Sequence, residues 1–244
     1  MGRTKSYYDL RDALAQPGCA VCRLKARAGD QYLASLLWEN VNDPDLRQEI
    51  RQARGFCHPH TWGLARRRGA SLGTAIIVHD VLQSVLRALE GAGFQALPAV
   101  SLRRAQESWD PRQPAAATAE VVAQLAQGQC LACAQEEKME DIYLSTLLET
   151  LVGKDGLLAA YRASDGLCLP HFCQALARLR DKATFEALLE AQRAIWLQLL
   201  AHLGESIRKS DYRFRDEPRG EESGAWLRAL AALVGPQREP DKPS

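Results

Sequence analysis

One cysteine–histidine pattern, present twice, constrains this chain more than any other feature. Cys19-x-x-Cys22 is followed after 34 residues by Cys57-x-x-His60, and Cys130-x-x-Cys133 is followed after the same 34 by Cys168-x-x-His171. Each residue of the second set lies 111 positions beyond its counterpart. Six of the seven cysteines and two of the five histidines thus form two Cys3His sets. Four soft, ionisable donors are what a tetrahedral thiophilic metal requires. The spacing predicts one site from Cys19, Cys22, Cys57 and His60, and another from Cys130, Cys133, Cys168 and His171.

The offset of 111 extends past the ligands. Leu14-Ala15-Gln16 matches Leu125-Ala126-Gln127. Asp30, Tyr32, Leu33, Leu36 and Leu37 match Asp141, Tyr143, Leu144, Leu147 and Leu148, and Gly55 and Pro59 match Gly166 and Pro170. Apolar positions, turn glycines and donors agree together, as they do in a duplicated unit. Periodicity is helical: Tyr32-Leu33, Leu36-Leu37 and Val41 make an i, i+4 stripe. Asn42-Asp43-Pro44 breaks that helix, and Gly55 suits the C-terminal cap of a short one that follows. Pro59 and Pro170 fit the first turn of new helices. Stretches 75–89 and 184–203 read as amphipathic helices, and no alternating strand pattern stands out. The fold class predicted is all-α: two pseudo-symmetric helical repeats, each built around a Cys3His site, plus a C-terminal helical extension.

The boundaries follow from composition. Residues 1–93 form the first repeat and 119–208 the second; the Pro- and Ala-rich 94–118 is a linker. An extension at 209–235 closes with a helix around Trp226, and 236–244 is a disordered tail. The two repeats are expected to share one core. With 46% hydrophobic and 25% charged residues and a formal net charge of +1, the chain reads as globular, without a global field for nucleic acid or membrane. The start lacks an apolar signal core, and no apolar run is read as a membrane span. A cytoplasmic location follows, where reduced cysteines favour metal binding over disulfides.

Each knuckle is expected to precede a helix, whose positive end suits the net negative charge of zinc held by three thiolates. The 34 intervening residues suit an excursion of two helices out and back. Two zinc ions per chain are the expected cofactor, and an iron–sulfur cluster is the alternative, since histidine can replace a cysteine there. A thioredoxin-type redox reading of CxxC lacks its βαβ context. His58 has no copy (Leu169 stands there) and reads as a surface group or a hydrogen-bond partner of a ligand. Cys173 reads as a buried core thiol, with a spare ligand or a redox-active thiol near a helix N-terminus as the sharper option. Asp30 and Asp141 are candidate hydrogen-bond partners of the ligands. Arg51, Arg54, Arg66, Arg67 and Arg68 form a basic run that reads as a solvated face before a phosphate-binding one. P-loop, dinucleotide-glycine, GxSxG and HExxH patterns are absent from the sequence.

These residues resemble an uncharacterised bacterial family, a domain of unknown function with duplicated Cys–Cys/Cys–His pairs. The likeness rests on Gly55-Phe56-Cys57-His58-Pro59-His60, on Gly166-Leu167-Cys168-Leu169-Pro170-His171, and on a tail like Lys209-Ser210-Asp211-Tyr212-Arg213-Phe214 with its Trp226 helix. It spans nearly the whole chain and implies the same paired sites, without an activity. The role expected is a metal-stabilised interaction or regulatory scaffold with a protein partner, rather than an enzyme. The alternatives are a thiolate or iron–sulfur sensor, then a metal-dependent enzyme or nucleic-acid-binding module.

Overall fold

In a computed structural model of the protein, residues 3–90, 92–93, 118–214 and 216–237 are described, and every regular element among them is an α-helix. The helices in chain order are α1 (Lys5–Leu14), α2 (Ala20–Trp38), α3 (Pro44–Gln52), α4 (His58–Ala65), α5 (Ser71–Glu90), α6 (Ala119–Leu125), α7 (Leu131–Thr150), α8 (Leu158–Arg162), α9 (Leu169–Arg178), α10 (Lys182–Arg208) and α11 (Ala225–Val234). Ala20 and Leu131, His58 and Leu169, and Ser71 and Lys182 open corresponding helices, each pair 111 positions apart.

Local chemistry sets these starts. Asp43 caps α3 by accepting from the Asp45 and Leu46 amides, with Pro44 in the first turn. Asp181 caps α10 through the Thr184 amide. Cys57 and Cys168 are the residues just ahead of α4 and α9, each followed by proline in the first turn. The turns before those cysteines reverse the chain at Gly55 (φ 89°) and Gly166 (φ 70°), left-handed backbone that glycine adopts without strain.

The described residues divide into two compact units, one drawn from Met1–Gly29 and Gln135–Lys242 and the other from Asp30–Ala134. Both boundaries fall inside long helices, α2 and α7; the linker expected at 94–118 lies, apart from Thr118, outside the described residues. The first unit buries Leu10, Val21, Leu24, Leu144, Leu147, Tyr161, Phe172 and Leu188. Within it α11, the helix expected around Trp226, packs on α9 and α10. The second buries Leu33, Leu36, Ile50, Phe56, Leu64 and Ile77. Here α5 packs on α3 and α6, and Asp80 of α5 accepts from Arg47 (3.1 Å) and Arg51 (2.6 Å) of α3. The tail expected at 236–244 lies outside the described residues from 238 on. By length and composition α5 is apolar enough to cross a membrane, where the sequence reading found no such run.

Candidate metal centre

The eight donors converge in two groups, but not in the expected pairs. Cys19 and Cys22 meet Cys168 and His171; Cys57 and His60 meet Cys130 and Cys133. In each group the ligand atoms lie within 4.8 Å of one another. The CxxC of either repeat is therefore completed by the CxxH of the other, and neither repeat is built around a site of its own. Helix lengths give the physical reason. From Ala20, α2 runs outward for about 28 Å, while α3 offers only about 13 Å of return. The imbalance is larger in the second copy, where the five residues of α8 follow the twenty of α7.

The first group lies wholly within the first unit. His171 Nδ1 is 3.4 Å from Cys19 Sγ, 3.2 Å from Cys22 Sγ and 3.2 Å from Cys168 Sγ, and Cys22 and Cys168 sulfurs are 3.6 Å apart. In the second group His60 Nδ1 lies 3.1 Å from Cys57, 3.5 Å from Cys130 and 3.4 Å from Cys133, with 3.5 Å between Cys57 and Cys133 sulfurs. A tetrahedral zinc with bonds of about 2.3 Å to sulfur and 2.05 Å to nitrogen sets edges of about 3.8 Å (S···S) and 3.6 Å (S···N). The observed separations are slightly shorter and fit a single ion.

Two helix N-termini serve each group. The Cys19 carbonyl accepts from Arg23 N and the Cys130 carbonyl from Ala134 N, opening α2 and α7, while α9 and α4 supply the other two starts. Amide dipoles there favour thiolates. Hydrogen bonds outside the donors hold the knuckles together: Gly18 N donates to Asp165 Oδ2 (2.6 Å) in the first unit. In the second, Gln127 Nε2 donates to the Phe56 carbonyl (2.7 Å) and Gly128 N to that of Ala53 (3.1 Å).

Crowding sets the ionisation of the donors against one another. The Cys168 and Cys22 thiols, with His171, hold the Cys19 thiol well below its usual value despite burial, and Cys168 and Cys19 in turn push Cys22 upward. In the second group burial raises Cys130, but the hydrogen bond from His60 and its cysteine neighbours bring it down to about 6. Burial together with Cys57 and Cys130 pushes Cys133 up to about 12. One negative charge is welcomed and the next is opposed, a repulsion that a bound dication relieves. Burial disfavours the His171 imidazolium, yet the thiolates of Cys168 and Cys19 lift that ring to about 10.

The carboxylate that meets a donor histidine is one the sequence reading passed over. His171 Nε2 lies 3.1 Å from Glu140 Oε1; Gln174 Nε2 donates to the same carboxylate at 2.7 Å, and Lys25 Nζ pairs with it. Glu140 is buried, and these cations and donors hold its carboxyl below the usual range against desolvation. Its counterpart in the first copy is Gly29, so a search for repeated residues passes over it. Gly235, just past α11, also closes on this site: a Cβ there would lie 3.4 Å from Cys22 Sγ.

Other expectations change. Cys173 is exposed, not a core thiol, because α9 buries the face carrying His171, Phe172 and Ala175. His58, by contrast, is exposed and edge-on to Trp62, one of the two places expected for it. Asp30 accepts from Arg67 Nη2 (3.1 Å) and Asp141 pairs with Arg178, again at an offset of 111. Within the basic run, Arg51 is held by Asp80, Arg54 by Ser84 Oγ and the Gln124 carbonyl, and Arg67 by Asp30.

No solved structure matches the chain. An uncharacterized 23.9 kDa protein in xynA 3'region from Caldicellulosiruptor sp. (strain Rt8B.4) is 27% identical over 220 residues, covering 90% of this chain and 96% of that relative. Residues 6–240 match the family of unknown function DUF6062, and the chain belongs to that family.

Proposed function

We propose that this is a zinc-stapled helical scaffold that binds two ions per chain and acts through protein contacts rather than catalysis. The observation that carries the reading is the convergence of two Cys3His quartets, each with four protein donors inside 4.8 Å. Four protein ligands leave zinc no open position for a substrate, as in structural rather than catalytic sites. The short S···S and S···N separations support one ion per quartet over an iron–sulfur cluster, whose ligands sit on different irons and need a wider cage. The exchanged pairs, with helix starts recurring at one offset, support an internal duplication whose halves depend on each other. The cysteine chemistry and the near-neutral charge support a reducing, cytoplasmic setting.

Elemental analysis of native protein purified anaerobically tests the reading. About two zinc ions per chain and a colourless solution are expected. Iron with acid-labile sulfide and visible absorbance would replace it with an electron-transfer or sensing role. Metal-free protein with full native structure would remove the metal altogether.

A further inference from the structure

Helix α5 is apolar on both sides, although among the described residues only one side has a partner in its unit. Its inner side places Ile77 in the core and ties Asp80 to α3. Its outer side carries Leu72, Ala75, His79, Leu82, Leu86 and Leu89, all six exposed, Leu72 to 72% and Leu86 to 56%. Their spacing of three, four, three, four and three residues is that of a coiled-coil seam about 26 Å long. A helix apolar all round is one covered all round.

The chain contains its own control. At the positions 111 residues further on, α10 has Glu186 for Ala75, Glu190 for His79 and Arg193 for Leu82. Exposed Trp38 lies beside the start of α5, where a Cβ on Gly69 would approach its ring to 3.1 Å; the equivalent residue is Glu149. The same helix thus tolerates charge along the first half of this face, although α10 keeps exposed Leu197 and Leu200 where α5 has Leu86 and Leu89. In that first half the apolar version in α5 is not something the fold requires. A continuous exposed stripe of this kind marks an interaction site.

We infer that α5 is a homodimer seam, covered by the α5 helix of a second copy running antiparallel. The spacing reads the same in both directions about its midpoint. A twofold axis there sets Leu72 against the partner's Leu89, small Ala75 against its Leu86, and His79 against its Leu82. In the two inner pairs a leucine thus faces a small or polar residue, and leucine meets leucine only at the ends, an arrangement that lets knobs enter holes. Exposed Glu90 at the C-terminal end comes beside the positive start of the partner helix, close after exposed Arg66, so charge favours the same direction. The seam has no charge of its own to select a foreign partner, and Asp80 next to it is already engaged by Arg47 and Arg51. A bilayer would gain the same leucines but would have to take His79 from the middle of the stripe and the Arg47–Asp80–Arg51 cluster beside it.

The dimer gives the proposed scaffold its first partner and rests on that reading only for its purpose; zinc content measured in parallel separates the two. Sedimentation equilibrium of the full chain tests it. Wild type should be dimeric at micromolar concentration. Ala75→Glu with Leu82→Arg, which copies the residues of α10, should weaken self-association at least about 100-fold while far-UV circular dichroism and metal content stay unchanged. Leu72→Glu, in the exposed first turn, gives the same readout should the double variant fail to fold. A monomeric wild type at 100-micromolar concentration, or a dimer that survives in folded variants, would overturn the inference. So would a monomer that sediments with lipid vesicles in wild type but not in Leu72→Glu, which would assign the face to a membrane instead.

Discussion

His171 offers its Nδ1 to three sulfurs and its Nε2 to Glu140, so the carboxylate fixes which nitrogen holds the proton and which faces the sulfurs. Gln174 donates to the same carboxylate oxygen and Lys25 pairs with the other. Replacing Glu140 with Gln leaves a shape that still fits but removes the charge and leaves Lys25 without its partner. Zinc should then leave one of the two sites at least about tenfold faster in a chromophoric chelator assay, with the other site unchanged. Equal, wild-type release from both would show that Glu140 does not position the ligand. At this scale the sequence is a good guide to identity and a poor one to environment. All eight donors are legible, because residue type and spacing carry the chemistry. Glu140 is not, because a lone acidic residue on a helix has no pattern and its counterpart is Gly29. Cys173 misleads for a related reason: which face of α9 is buried depends on where His171 and Phe172 point, and that is a tertiary fact.

Among the elements, the helices and their starts are legible from capping and proline chemistry: Asp43-Pro44 opens α3, and Pro59 and Pro170 fall in the first turns of α4 and α9. The pairing of quartets is not, since a 34-residue spacing is the same whether a CxxC closes on its own CxxH or on the other copy's. Helix length decides between them, through the long outward run of α2 or α7 and the short return of α3 or α8. The turn that aims Cys168 is correspondingly demanding. Gly166 has φ 70°, and a Cβ there would meet the Gln192 side chain at 2.8 Å; that same side chain accepts from Leu167 N at 2.9 Å and pairs with Tyr161. Gly166→Ala should therefore destabilise the first unit by about 1–3 kcal/mol, through left-handed backbone strain and a displaced buried hydrogen-bond network. Thermal melts of the zinc-loaded protein check this, and an unchanged melting temperature would mean that the turn relaxes freely.

Across the whole molecule, one compact unit is assembled from both ends of the sequence and the other from its middle, rather than from successive halves. Leu33 and Leu36 lie in one core and Leu144 and Leu147, their counterparts at 111, in the other, each with the CxxH helix that follows in its own copy. The all-α class is legible because apolar residues recur at helical spacing throughout. The division into units is not, because α2 and α7 each run unbroken across a boundary, and a lone Gly29 inside a helical pattern does not announce one. Metal stoichiometry of two double variants, held in a chelator that wild type withstands, tests the exchange most directly. Exchanged ligand pairs predict that Cys19→Ser with Cys168→Ser damages one site and keeps about one ion per chain, while Cys19→Ser with Cys57→Ser damages both and keeps about none. The reverse result, with the Cys19/Cys57 variant retaining one ion and the Cys19/Cys168 variant retaining none, would contradict it.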